Sequence, residues 1–599
     1  MTSDGAQLRG GQARDAVRLD GVTWCYRVQQ KPTLTNLTLR IPEGQKVAII
    51  GASGSGKSTV LQLMNGLIPH RVEGELDGTV RVFERSIQGR EFTEISDEVG
   101  TVLQDTDAQF VGLTVAEDIA FALENLAVPE PDLHRRVAET AERVRVTELM
   151  DASPRELSGG QRQRVSMGGV LAAGARMLLF DEPLASLDPA SGLKSVELID
   201  ELWRSGSTVV IVEHRLEDVL HRPVDRIILM HDGQIVADDA SAAIISSGIL
   251  PKHGIREPLS VAAMRFAGIA PRPEHHPDEP GAIQLRDDEI SALATWVSED
   301  SEPAAVATHP VSLVRFDEVH FSHGERPVLG GVNFGIAAGE MVALCGPNGA
   351  GKSTIASLMC GFERPDAGRI FVAGEDATAW PVAKRSERIG LVLQNPNDMI
   401  SKHLIRDELL LGTHTLGLSE TELNDRVDAA LKACGLWKFR GWPISALSYG
   451  QKKRVTIAAM LVREPQLLIL DEPTAGQDYR HASEFMDLIR ELNESGMAIL
   501  LITHDLHLAL EYAPRMLVLA GGTLIADGDS ADVFAKPDVL RQGDLKPTSL
   551  TPLASQLVER AGLDARDASA RLHRRFVRAE RAARDARRLA EHGGEGSDG

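Results

Sequence analysis

The sequence predicts an α/β fold built twice, as two tandem copies of one parallel-sheet domain. Two observations carry this. Short apolar runs alternate with helix-like stretches, KVAII, MLLF and STVVIVEH early in the chain and MVALC, LLIL and AILLITH later, as in strands buried on both faces. The segments around those runs also repeat. GASGSGKST at 51–59 answers GPNGAGKST at 346–354, which places Lys57 and Lys352 295 residues apart. Gln104 and Gln394, Ser158 and Ser448, Asp181 and Asp471, and His214 and His504 each lie 290 apart. The first copy is thus five residues longer between its lysine and glutamine, and the copies otherwise keep step.

Composition bounds what such a chain does. The 599 residues hold 64 basic and 86 acidic side chains, a net charge of −22, with 43% hydrophobic and 25% charged positions. That is globular composition. The acidity argues against broad nucleic-acid binding, which needs a basic surface. Cys25, Cys345, Cys360 and Cys434 are scattered without a CxxC pair, so neither a disulfide framework nor a zinc site is expected, and a reducing cytosol fits. The N-terminus has no apolar signal region, and VAII, MLLF and AILLI fall far short of the ~20 residues that cross a bilayer. Any membrane role is expected to come through partners.

The repeat sets the expected domains: a flexible stretch over 1–15, a first copy over 16–270, a linker over 271–310, a second copy over 311–566 and a basic helical tail over 567–599 with a disordered end. The linker holds nine acids, two arginines and six prolines, the composition of solvated coil. A coil of that length spans on the order of 35 Å, enough to let the copies face each other. The tail, DASARLHRRFVRAERAARDARRLA, reads as a solvated helix, with anionic lipid or a partner as the alternative for its arginines.

Each apolar strand ends on a chemically loaded residue, and ligands of open parallel sheets sit beyond those ends. Gly51, Ala52, Ser53, Gly54, Ser55, Gly56, Lys57, Ser58 and Thr59 fit GxxxxGK[ST], and so do Gly346, Pro347, Asn348, Gly349, Ala350, Gly351, Lys352, Ser353 and Thr354. Such a loop turns backbone N–H groups toward the β- and γ-phosphates of a nucleotide. The next helix adds positive potential, the lysine a point charge, and Ser58 or Ser353 a magnesium ligand. Asp181 and Asp471 close apolar strands and would hold Mg2+ through its water shell. The adjacent Glu182 and Glu472 would orient or deprotonate the attacking water, with His214 and His504 near the γ-phosphate.

In this order, a Walker A loop, the Q-loop glutamines Gln104 and Gln394, LSGGQ (LSYGQ in the second copy), a Walker B Asp-Glu pair, a D-loop (Ser186 to Asp188, Gly476 to Asp478) and a final histidine resemble two ABC-transporter nucleotide-binding domains in series. The resemblance implies tandem P-loop NTPase domains, each with a RecA-like parallel-sheet core, a helical subdomain and an N-terminal antiparallel β portion. It implies ATP and Mg2+ as ligands, with Gln104 and Gln394 reaching the metal and the catalytic centre. It also implies head-to-tail pairing. Lys57 would then share a site with Ser448, Gly450 and Gln451, and Lys352 with Ser158, Gly160 and Gln161. Tyr26 and His323 are the expected adenine-stacking rings. Tyr449 replaces Gly159, and modest weakening is expected there because the backbone N–H survives any side chain. Both copies keep Glu, His and Gln, so two hydrolysing sites are expected.

The segments after each Q-loop glutamine, VLQDTDAQFVGLTVAEDIAFALEN and VLQNPNDMISKHLIRDELLLG, resemble ATPase subunits of energy-coupling-factor importers, which take up vitamins and transition-metal ions. That resemblance implies an integral-membrane coupling subunit and a separate substrate-capture membrane protein, with the chain peripheral on the cytoplasmic face. Asp105, Asp107, Gln109, Asn397 and Asp398 lie where coupling helices would be read. Two rival readings make different demands on the sequence. A double-cassette translation factor should carry a basic arm where this chain is acidic, and a double-cassette sugar-importer ATPase should show a degraded second site, whereas Lys352, Asp471 and Glu472 are intact.

Overall fold

The computed structural model describes residues 14–185, 187–299 and 312–594. The expected flexible N-terminus up to residue 13, Ser186 of the D-loop, the far end of the acidic tract with Val311, and the last five residues lie outside the described residues, as does the side chain of Asp107. The chain divides into two compact units. One is Met1–Leu187 with Ser191–Val261 and Pro271–Ile283; the other is Asp188–Ala190 with Ala262–Ala270 and Gln284–Gly599.

In the first unit a six-stranded sheet runs in the order Gln234–Ala240, Arg226–His231, Lys46–Gly51, Thr208–Val212, Met177–Asp181, Val99–Val102. All neighbours are parallel except the antiparallel edge strand Gln234–Ala240. Thr208–Val212 is buried at every position, which is why its sequence reads as an unbroken apolar run rather than an alternation. A second, antiparallel sheet pairs Asp15–Tyr26 with Leu34–Pro42 and Gly74–Val82, and it alternates because only one face packs on the core. The second unit repeats both sheets. Its parallel order is Ile389–Val392, Leu467–Asp471, Ala498–Ile502, Met341–Cys345, Arg515–Ala520, Thr523–Asp529, the last strand antiparallel. Ser312–His323 pairs there with Arg326–Ala337 and Ala367–Val372.

A helical subdomain interrupts each parallel sheet between its first edge strand and the strand that ends in the Asp-Glu pair. In the first unit Thr114 caps the helix Val115–Asn125 in a capping box with Glu117, and Val115, Ile119, Ala120 and Leu123 form its buried stripe. The corresponding helices of the second unit are Ile405–Leu409, Glu420–Ala433 and Tyr449–Leu461.

Two expectations fail at the joins. The acidic tract is not coil throughout, because Asp287–Ser298 is a helix with Ile290, Leu293, Trp296 and Val297 buried. It belongs to the second unit, where Phe266 lies 6.4 Å from Trp296 and 6.0 Å from Phe576 between ring centroids. The C-terminal helix Ala565–Gly594 is not solvated all round either. Leu572 and His573 are fully buried and Phe576 is 1% exposed, and each such apolar side chain contributes about 1.5–3 kcal/mol on burial. Its basic face is engaged as well. Arg584 reaches Glu511 at 2.8 Å, Arg581 reaches Glu494 at 3.0 Å, and Tyr479 donates to Glu580 at 3.1 Å.

The glycine loops at the ends of Lys46–Gly51 and Met341–Cys345 are shaped by close backbone approach. A Cβ on Gly346, at φ 146°, would lie 2.1 Å from the carbonyl oxygen of Leu519; on Gly349, at φ 79°, it would meet nothing within 4 Å. Gly349→Ala should therefore cost only the left-handed penalty of about 1–2 kcal/mol, and Gly346→Ala distinctly more because a strand carbonyl must move. Thermal melts of the two variants check that order. A pH effect follows from His573, whose Nδ1 donates to the Ser569 carbonyl at 2.7 Å while Nε2 accepts from Thr548 Oγ at 2.8 Å. Burial, reinforced by nearby His507, pushes its pKa down to about 4. The folded state thus binds the proton more weakly than the unfolded one. The stability it lends is complete above the ordinary histidine value near 6.5 and is lost as pH falls toward 4. His573→Phe, which keeps a ring against Phe534, should lose less melting temperature between pH 7 and pH 5 than the parent chain.

Candidate functional site

In the first unit four motifs meet at the carboxyl edge of the parallel sheet: the glycine loop, the Asp-Glu pair, the final histidine and the Q-loop glutamine. Lys57 opens the helix Lys57–Met64 behind Gly56 at φ 97°. Its Nζ donates to the carbonyls of Gly51 at 2.7 Å and Ala52 at 2.9 Å, which fixes the ammonium against the glycine loop. Ser58 Oγ lies 3.3 Å from Asp181 Oδ1. Burial and then the charge of Glu182 push the Asp181 carboxyl up to about 6. Glu182 sits in the left-handed region at φ 48°, held there by its N–H on the carbonyl of Val212 at 2.9 Å. One carboxylate oxygen contacts His214 Nε2 and the other accepts from Gln104 Nε2 at 2.8 Å. Against the upward push of burial, the bond to His214 and its charge hold Glu182 below its ordinary value.

The second unit assembles the same parts with different bonds. Lys352 Nζ donates to Gly346 at 2.7 Å and Pro347 at 2.9 Å, and burial lowers its pKa. Burial and the charge of Glu472 push Asp471 up to about 6. Glu472 repeats the strained backbone at φ 45°, its N–H on Ile502 at 2.8 Å. Its carboxylate lies 2.8 Å from His504 Nδ1, the other ring nitrogen, and accepts from Thr503 Oγ and the His504 N–H at 3.3 Å each. Ser353 follows Lys352 in the helix Lys352–Cys360. Gln394 offers its backbone carbonyl to Tyr449 OH at 3.2 Å.

The signature serines are helix caps. Ser158 caps Gly159–Ala172 and Ser448 caps Tyr449–Leu461, each in a reciprocal box with Gln161 or Gln451, so each motif presents a helix N-terminus suited to an anion. A Cβ on Gly160 would lie 3.0 Å from Ser191, whereas Gly450 has open space. Of the two expected adenine rings, Tyr26 is tied to the glycine-loop helix, its OH 2.9 Å from Thr59 Oγ and 3.1 Å from Gln62 Oε1. His323 is exposed and packs edge-on against Phe321.

Divalent metal fits this donor set. Each unit carries a hydroxyl and a half-buried Asp-Glu pair whose aspartate is pushed up to about 6, while groups of three or more His, Cys, Asp or Glu side chains that could hold a metal are absent among the described residues. A magnesium ion held there would take most of its ligands from phosphate oxygens and water, as that ion prefers.

Some functional positions escape motif reading. Glu213, 2% exposed, accepts from the N–H groups of Leu184, His214 and Arg215, and burial raises its pKa; Thr503 holds this place in the second unit. Gln109 is not a free reader of partners, since its side chain is bound to Leu103 N, Thr101 O and Ser166 Oγ. The difference VIVEH against LLITH is the sequence signal for Glu213.

A family model described as ABC transporter matches residues 34–185 and 329–475, and one described as ATP-binding cassette cobalt transporter matches 247–321. An ABC transporter ATP-binding protein of Vibrio vulnificus is 46% identical over 546 residues, covering 90% of this chain and 94% of its own. One of Enterococcus faecalis is 46% identical over 545 residues, covering 90% and 95%. A solved Clostridium perfringens protein described as cbiO1, part of the ABC transporter complex cbiONQ, is 35% identical over 38% of this chain and 93% of its own, with a TM-score of 0.36. The chain belongs to the ABC transporter ATP-binding proteins, ATP-hydrolysing subunits, and carries two of their cassettes in one polypeptide.

Proposed function

We propose that the chain is the energy-coupling subunit of an importer of the energy-coupling-factor type, driving uptake of a transition-metal ion or vitamin through separate membrane subunits. The observation that carries this reading is the cobalt-transporter family match over 247–321, a region outside both cassette matches. Surface chemistry supports it. Among the described residues no helix is long and apolar enough to cross a membrane, yet Val111, Leu113 and Phe121, just after the first Q-loop, are 60%, 81% and 41% exposed. At the corresponding place in the second unit a cavity of about 270 Å³ is lined by Met399, Leu411, Met460, Glu408 and Arg463. An apolar helix of a membrane coupling subunit fits such surfaces, and Asp105, Asn397 and Asp398 flank them.

The proposed chemistry uses the residues as they are bonded. The glycine loops and Lys57 or Lys352 would hold the ATP phosphates. Ser58 with Asp181, and Ser353 with Asp471, would hold Mg2+, which supplies charge to the β- and γ-phosphates, and Gln104 and Gln394 would report that occupancy to the membrane partner. Glu182 and Glu472, oriented by His214 and His504, would take the proton of the attacking water. Tyr26 and His323 would stack on adenine. The copies would pair head to tail, with Ser448, Gly450 and Gln451 completing the site of Lys57 and Ser158, Gly160 and Gln161 that of Lys352. Closure on two ATP molecules and release after hydrolysis would then work the membrane partner.

Two experiments test this. Glu182→Gln and Glu472→Gln should each lower steady-state ATP turnover, and the double variant should lose about 100-fold or more with nucleotide binding retained; unchanged turnover in Glu472→Gln contradicts two active sites. Mass spectrometry of the detergent-solubilised complex should find an integral-membrane coupling subunit. Ribosomal proteins, or a permease with a periplasmic binding protein, would overturn the energy-coupling-factor assignment.

A further inference from the structure

The second signature helix carries two residues that the first copy does not. Tyr449 and Lys453 replace Gly159 and Gln163 and stand one turn apart on one helix face, with Lys453 Nζ 5.4 Å from the Tyr449 ring centroid. Lys453 is 1% exposed. Its ammonium donates to the carbonyl of Pro473 at 2.7 Å and to that of Glu472 itself at 3.3 Å. Tyr449 OH meanwhile donates to the carbonyl of Gln394 in the Q-loop. In the first copy a neutral amide makes half of this arrangement: Gln163 donates to Pro183 at 2.6 Å and accepts from Ser195 Oγ at 2.8 Å. Position 485, 290 residues after Ser195, is Phe485, consistent with an ammonium that cannot accept a hydrogen bond.

We infer that Tyr449 and Lys453 are positioning residues that tie the second cassette's signature helix to its own Glu472 and Q-loop. A buried ammonium is costly unless its protons are bonded, and here its bonds fall on the peptide that orients the proposed base. Glu472 is then held on both sides in its left-handed conformation, its N–H by the strand carbonyl of Ile502 and its C=O by Lys453. A shift of the helix capped by Ser448 is carried to Glu472 through Lys453 and to Gln394 through Tyr449. Under the head-to-tail pairing proposed above, the lid over one nucleotide would thereby adjust the base at the other. The first cassette, with Gly159 and Gln163, lacks the Q-loop tie and the bond to its own glutamate carbonyl.

The inference rests on Glu472 being the base, so it is tested on the full chain in a Glu182→Gln background, where turnover comes from the second site. Lys453→Met should lower kcat about tenfold while KM for ATP stays within about twofold, because orientation of the base rather than nucleotide binding is lost. Lys453→Gln, which restores a donor to Pro473 but, like Gln163, leaves the glutamate carbonyl unbonded, should recover only part of that loss, and Tyr449→Phe should lower kcat several-fold with unchanged melting temperature. Equal kcat in Lys453→Met and its parent overturns the tie. Should Lys453→Met fail to fold, unchanged kcat in both Tyr449→Phe and Lys453→Gln overturns it instead. The Glu182→Gln, Glu472→Gln chain separates the two readings. If it still turns over ATP, the base assignment fails and the tie with it; if it is inactive and Lys453→Met is not slowed, only the tie fails.

Discussion

Everything chemical in each unit depends on a left-handed glutamate at the end of a parallel strand. A parallel sheet can offer side chains to a ligand only beyond the carboxyl ends of its strands. The chain turns there at once, so that Asp181 and Glu182, or Asp471 and Glu472, point to different tasks. The turn costs on the order of 1–3 kcal/mol of backbone strain, offset by a bond from the glutamate N–H to the neighbouring strand. Around that point the other motifs close ranks: the histidine from the next strand, the lysine of the glycine loop, the serine beside the aspartate.

The same frame carries two different hydrogen-bond networks. In the first unit both Gln104 and His214 hold the Glu182 carboxylate, and the buried Glu213 binds the backbone of the histidine loop. In the second, Thr503 and the His504 N–H take the place of Gln104 on Glu472, and the peptide of Glu472 is fastened to the signature helix by Lys453. Two sites equal in motif are unequal in how their glutamate is held.

Much of this was legible in the chain. A fixed offset between Gln104 and Gln394, Asp181 and Asp471, His214 and His504 marks duplication, and strands buried on both faces announce themselves as unbroken Val, Ile and Leu. The antiparallel sheets and helical subdomains were implied by the family resemblance rather than read from pattern. What stayed hidden was chemistry decided by burial. Nothing local says that the ammonium of Lys453 is enclosed, or that Gln109 spends its amide on its own loop. The acidic tract reads as solvated because its acids gather in the first turn of Asp287–Ser298, where Asp287 and Asp288 are exposed, while Ile290, Leu293 and Trp296 face inward. The basic tail misled in the same way. Long arginine stems can lie over a packed surface and meet carboxylates on a neighbouring helix, as Arg584 does with Glu511.

The central proposal is that each sheet edge carries its own phosphate-binding loop, one ATP to each. Counting nucleotides tests it most directly, by equilibrium ATP binding with magnesium to the hydrolysis-blocked Glu182→Gln, Glu472→Gln chain. Two ATP molecules per chain are expected, falling to one when either Lys57 or Lys352 is changed to Ala, because each lysine anchors phosphate only in its own loop. A single bound ATP, or a loss of both on changing one lysine with the fold intact, contradicts the account.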